Sequence, residues 1–370
     1  MKKDISRRKF IKTMAAGGAY LGLGQVVPGT SLLGIGELQA SAPKPAVSIV
    51  RIKKGNIDYA VRQAIDLLGG MESITQGKER ILLKPNLVGP DPRDVTKPDV
   101  VKVLAQLMNE AGKDVSLGEG SAAATRSKGE AAEYGGCRAT DRDMIDAIQE
   151  EIFGTLGYRD LAKSLKIPLI NLHTGRMSKV PLPNGFVFKE ISLHHSLTDT
   201  DMLCSVPMMK THGLATVTLG MKNLFGVYPG EVYGTPRWGV HHEAAKVEKS
   251  GTASAIIDIV RANKLGLTVI DASRAMQGTG PTVRGGGRIA RMNLIIAGTN
   301  PLATDMVAAY TMGFQPEEIS TFAWAWKAGM TPTRLSDSEV RGKEIRSVRQ
   351  KFARPLVLPF SILDGLDKPC

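Results

Sequence analysis

The 370-residue chain has only three cysteines. An all-cysteine zinc site or iron–sulfur cluster needs four thiolates, so neither can be self-contained here. Cys204 falls in an apolar run and reads as a small buried hydrophobe; Cys137 and Cys370 could bridge only in an oxidising compartment. No G-x-G-x-x-G fingerprint and no P-loop occurs, which removes the common dinucleotide and nucleotide sites. His242-Glu243-Ala244-Ala245-Lys246 places Lys where a zinc-peptidase helix needs its second His. The 40 glycines follow no G-X-Y period, so a collagen-like rod is excluded. Neither an internal repeat nor a low-complexity linker interrupts the chain.

What is present begins with an address. Ser6-Arg7-Arg8-Lys9-Phe10-Ile11-Lys12 resembles the twin-arginine export signal, with Arg7 and Arg8 as the pair. Met14 to Gly36 is apolar but holds seven glycines, which makes it a poor permanent membrane span. Ala40-Ser41-Ala42 has the small-x-small form of a cleavage site, although Pro43 disfavours cutting after Ala42, and an uncleaved anchor remains open. The expected location is periplasmic or extracytoplasmic, reached folded through the twin-arginine translocase. Without residues 1–42 the chain carries 42 basic and 34 acidic residues, a net of +8. That excess suits a small anionic ligand, and no nucleic-acid partner is expected.

Residues 43–370 read as a single α/β domain with loop insertions. Short apolar runs (46–52, 80–83, 114–117, 168–173, 201–208, 267–270, 292–297) alternate with helical patterns (56–68, 98–111, 141–165, 216–225, 252–263, 301–312). Such alternation predicts a mainly parallel sheet with helices on both faces. Pro183-Asn184-Gly185 inside Lys179–Leu193 adds a β-hairpin insertion.

In open α/β sheets ligands bind beyond the carboxyl ends of the strands. Five predicted strands end in polar residues: Lys84-Pro85-Asn86, Glu119-Gly120-Ser121, His173-Thr174, Lys210-Thr211-His212 and Asp271-Ala272-Ser273. Lys84, Asn86 and Lys210 are therefore anion-binding candidates, with Lys222 on the helix expected after Lys210-Thr211-His212 as another; His212 and Asp271 are acid–base or metal-ligating candidates, as is His242 or its neighbour His241 in the aromatic stretch that follows. Gly278-Thr279-Gly280-Pro281 and Arg284 form a loop whose amides and guanidinium could cradle an anion. Lys210 and His212, two apart, are expected to share one cleft with Asp271. Val227–Gly251, with Tyr228, Tyr233 and Trp238, is expected to close over it as a lid. The metal, if any, and the cofactor are not specified by these patterns.

Taken in order, several segments resemble an uncharacterised family, domain of unknown function 362. They are Lys84-Pro85-Asn86-Leu87-Val88, Gly118-Glu119-Gly120, Lys210-Thr211-His212, Gly220-Met221-Lys222-Asn223-Leu224-Phe225-Gly226, Asp271-Ala272, Gly278-Thr279-Gly280-Pro281 and Ala303-Thr304-Asp305, within residues 47 to 350. The resemblance implies the α/β domain and, because some members are fused to iron–sulfur modules, redox work. This chain lacks the cysteine-rich module. Two readings follow: a redox or group-transfer enzyme with a small anionic ligand or metal at the sheet edge, or a non-catalytic accessory protein for an iron–sulfur redox partner.

Overall fold

Strands with near-continuous apolar runs must be covered on both faces, and here they are. In a computed structural model, which describes residues 43–122 and 141–357, the strands are β1 Ala46–Arg51, β2 Arg80–Pro85, β3 Asp114–Glu119, β4 Leu169–Asn171, β5 Met177–Pro181, β6 Glu190–His194, β7 Met202–Val206, β8 Met208–His212, β9 Thr216–Thr218, β10 Leu265–Gly278, β11 Gly287–Ala290, β12 Leu294–Gly298 and β13 Glu339–Gly342. Arg7, Arg8, Cys137 and Cys370 lie outside the described residues.

Successive side chains on a strand point to opposite faces. Ile81 and Leu83 therefore join one core with Met202, Cys204, Leu267 and Val269, under the helices Ile57–Asp66 and Pro98–Glu110. Leu82, Leu203, Ile270 and Ile296 join the other, under Ala253–Arg261, Pro301–Thr311 and Ser320–Lys327. Buried Cys204 behaves as the expected small hydrophobe.

The main sheet runs β13-β1-β12-β10-β7-β2-β3-β4, and along this path only β12 is reversed. The fold is thus a mixed α/β architecture with a mainly parallel sheet. The hairpin β5–β6 forms a separate two-stranded sheet. The buried Asp258 carboxylate holds its turn, accepting the Phe186, Val187 and Phe188 amides at 2.7–3.0 Å. From Lys44 onward the chain is one compact unit. Among the described residues no helix is long and apolar enough to cross a membrane.

Helix starts follow local chemistry. Asn56 accepts the Tyr59 amide at 3.0 Å, and Asn300 accepts that of Ala303 at 2.9 Å ahead of Pro301. Such caps contribute about 1 kcal/mol each.

Three local expectations are corrected. Pro207, which has no N–H to donate, divides the predicted 201–208 strand, and the chain resumes as β8. The predicted helix 216–225 is instead β9, pairing back on Lys210–His212, then one turn, Gly220–Asn223, and a 3₁₀ turn, Leu224–Val227. Asp305 fixes that switch by accepting the Gly220 and Met221 amides at 2.8 and 2.9 Å. Finally, β10 does not stop at Asp271. It continues to Gly278, its far half paired with β8 and β11, so Asp271 is a mid-strand residue.

Candidate functional site: a cationic cavity at the strand ends

Beyond the carboxyl ends of β2, β3 and β8 lies a cavity of about 320 Å³. Such a volume is at the small end of the range for small-molecule sites, about 300–1,000 Å³. Of the residues anticipated from sequence, Lys84, Asn86, His212, Lys222 and Gly280 line it. Glu119, Asn223, Phe225, Arg237, Trp238 and His241 complete its walls.

The floor is a buried ion pair. Lys84 at the end of β2 meets Glu119 at the end of β3, Nζ to Oε1 2.7 Å. Lys84 also donates to Pro85 O and Asn223 Oδ1 at 3.1 and 3.2 Å. Glu119 accepts the Gly120 and Leu87 amides at 2.8 and 2.9 Å. A Cβ on Gly226 would stand 2.8 Å from Glu119 Oε1 and 2.9 Å from Lys84 Nζ, so glycine is what lets the 3₁₀ turn pack on the pair.

Arg237 lies in the left-handed region, φ 73°, and its guanidinium is buried. It donates to Tyr228 O at 3.1 Å, to Gly226 O at 2.7 Å and to Gly120 O at 2.5 Å. Among the described residues no carboxylate pairs with it or with Lys222. Lys222 packs its Nζ 4.1 Å from the centre of the Phe225 ring. Glu119 is committed to Lys84, so the cavity holds positive charge in excess. The pKa directions express this. Burial first, and then Arg237, Lys84 and Lys210, bring Lys222 down to about 7. Burial lowers Arg237 to about 10, with Glu119 opposing.

Both wall histidines are neutral near pH 7. His212 Nδ1 accepts the Leu214 and Ala215 amides at 3.0 and 3.3 Å, so its proton sits on Nε2. Burial, then Lys222, lowers its pKa well below the usual value. His241 Nδ1 lies 2.7 Å from Gly251 O and so carries its proton; burial and Lys222 take the ring to about 3. The aromatic wall runs from Trp238 to His241 to Phe225, with centroids 5.7 and 4.7 Å apart.

Two buried polar atoms of wall residues have no hydrogen-bond partner among the described residues, Asn86 Oδ1 and Thr218 Oγ1. Buried polar atoms are normally bonded, so both are exceptions, and each is sealed inside the wall rather than open to the cavity.

Other anticipated residues stand elsewhere. Lys210 Nζ donates to the Asp94 carbonyl and does not line the cavity. Asp271 accepts the Lys97 and Ser273 amides, each at 2.9 Å. The two are near neighbours across β8 and β10 but serve the Asp94–Lys97 segment, because Asp271 lies opposite Met208, four residues short of His212. Of Val227–Gly251, it is Pro236, Arg237, Trp238 and His241 that reach the cavity; His242 does not line it. Arg284 is exposed and Gly278 lies outside the lining. The Gly-rich loop offers few amides, since those of Thr279, Gly280, Gly285, Gly286 and Gly287 bond within the loop. The loop instead docks through Gly280 O on the Gly213 amide at 3.0 Å, which closes the His212 side.

Arg237 was missed from sequence because nothing in a basic residue between Pro236 and Trp238 signals a buried guanidinium. Among the described residues no three His, Cys, Asp or Glu side chains converge to hold a metal ion. The donors that do converge are cationic or neutral N–H groups, and these suit an anion.

The class defined by fold and site is thus an α/β protein with a cationic cavity at the strand ends. Residues 81–310 match the family described as domain of unknown function (DUF362), and the chain belongs to that family. It is 28% identical over 294 residues to a thylakoid-associated protein of Synechocystis sp., covering 78% of this chain and 81% of the relative. Among solved structures it is similar to the lactate racemase apoprotein of Thermoanaerobacterium thermosaccharolyticum, at 12% identity, TM-score 0.43 and 73% of this chain. A Thermotoga maritima protein from structural genomics shows 14% identity, TM-score 0.34 and 60% coverage. The chain spans 57% and 51% of those two, and neither likeness bears on activity.

Proposed function

We propose that the cavity binds a small organic anion, a carboxylate with a flat or apolar body. The observation that carries this reading is the unmatched positive charge of Lys222 and Arg237 above the compensated Lys84–Glu119 pair. A buried cation without a counter-ion is costly, and a bound anion relieves that cost. The Phe225–His241–Trp238 wall would pack on the apolar body. His212 Nε2–H would donate to an anionic or carbonyl oxygen.

Thermal unfolding of the protein from Lys44 onward, scanned with benzoate, pyruvate, sulfate and phosphate, tests this. An anion at one hundred times its dissociation constant should add about 2.7 kcal/mol of stability. If none of the four protects more than sodium chloride of equal ionic strength, the anion site is rejected.

Export is proposed on the sequence alone. Arg7→Lys with Arg8→Lys should hold the precursor in the cytoplasm, and arrival of the double variant in the periplasm at the normal rate would reject a twin-arginine route. The reading as an accessory to an iron–sulfur partner rests on the family resemblance alone.

A further inference from the structure

We propose that Lys222 is an amine nucleophile: its Nζ condenses with the carbonyl carbon of a small 2-oxo acid held in the cavity. This rests on the anion reading and names the substrate class and the reacting atom. The cavity wall holds two lysines, and they are placed for opposite purposes. Lys84 is spent on Glu119, Pro85 O and Asn223, and its ammonium is the fixed half of an ion pair. Lys222 has no carboxylate and no hydrogen-bond acceptor among the described residues, only the Phe225 face beneath it. When it loses its proton, no hydrogen bond from a described residue claims its lone pair, and the side chain lines the cavity. A lysine close to other cations in an apolar pocket is the usual way to keep an amine neutral and nucleophilic. Lys84 and Arg237 supply those cations, and the fall of Lys222 to about 7 agrees with that placement.

The same cations select the substrate. A 2-oxo acid presents a carboxylate next to the carbonyl that Lys222 would attack. Arg237, whose Nη1 makes no hydrogen bond among the described residues, can face the carboxylate while His212 Nε2–H donates to the carbonyl oxygen. The step balances without an oxidant. The Nζ–C bond forms, the C–O bond breaks, and the oxygen leaves as water with both amine protons, giving a neutral imine. Uptake of one further proton from solvent makes the iminium.

The protein from Lys44 onward is incubated with pyruvate or phenylpyruvate and sodium cyanoborohydride, and intact and peptide masses are read. Binding of the same acids without reductant is followed by calorimetry. One reduced adduct per chain, mapped to Lys222, is expected. Lys222→Arg keeps a cation without a nucleophilic amine, so it should lose the adduct even at concentrations of the acid that calorimetry shows to saturate the variant. Binding without a trapped adduct, an adduct on another lysine, or an undiminished adduct in Lys222→Arg overturns the proposal and leaves the anion site standing. Failure of the wild type to bind either acid or benzoate overturns both.

Discussion

Two buried polar regions lie at one edge of the same sheet, and they are built differently. Around Asp94–Lys97, charges of both signs are interleaved. Lys210 donates to Asp94 O, Asp94 accepts the Val283 amide at 2.9 Å, and Asp271 accepts Lys97 and Ser273. Thr96 and the Tyr158 hydroxyl tie the same segment to β7 and to the helix Tyr158–Leu165. In the cavity, the described residues set one carboxylate, Glu119, against Lys84, Lys222 and Arg237. Lysines 210 and 222 are both pushed down to about 7, but for Lys210 the neighbouring Asp94 and Glu119 oppose the fall, whereas every influence on Lys222 lowers it. Depressed basicity alone therefore does not mark a site; the lack of a counter-charge around an open volume does.

The largest effect expected from breaking this contrast is on stability. Glu119→Ala removes the one carboxylate that the described residues bring to the cavity wall and leaves Lys84 buried without its partner. Breaking such a pair costs about 3–5 kcal/mol, to be read by urea denaturation. The cavity cation should behave in the opposite sense: Lys222→Met should leave the ligand-free protein as stable or more so. A loss comparable with that of Glu119→Ala would mean that Lys222 is a structural residue. Next in size is affinity. A charge-assisted hydrogen bond contributes about 1.5–3 kcal/mol, so Lys222→Met should weaken benzoate binding roughly 10- to 100-fold by calorimetry. A gentler effect is the pH dependence. Lys222 has a folded pKa near 7 against about 10.4 when unfolded, so between these values the unfolded chain binds more protons. Stability of the ligand-free protein should then rise from about pH 7 to 10, and Lys222→Met should lose part of that rise, Lys210 supplying the rest with the same sign. The smallest effects sharpen the boundary between the regions. Lys210→Met and Arg284→Ala should each change benzoate affinity by no more than about twofold, since neither side chain lines the cavity.

The layers of the fold were legible because burial on both faces writes itself as short apolar runs alternating with amphipathic helices, as in β2, β7 and Pro98–Glu110. The switch after His212 was not, since Thr216-Val217-Thr218-Leu219 followed by Gly220 satisfies a helical period as well as a strand. Only the distant Asp305, capping Gly220 and Met221, decides it. Lys84, Asn86 and His212 were placed by the rule that ligands sit beyond strand ends, whereas Lys222 came from the segment that follows His212, read as a helix. Asp271 was misplaced by the same rule, because β10 runs past it to pair with β11. Arg237 and the choice of His241 over His242 depend on how one loop folds back, which local sequence does not encode.

The central claim is that the cavity is completed by an anion facing a titratable Lys222. It is tested most directly by benzoate affinity against pH, measured calorimetrically for wild type and Lys222→Met. The account predicts that wild-type affinity falls as pH rises through about 7, with proton uptake on binding, and that the variant, weaker at about pH 6, meets wild type by about pH 9. A wild-type affinity that is flat across this range, or a variant that binds as tightly at the acid end, would contradict it.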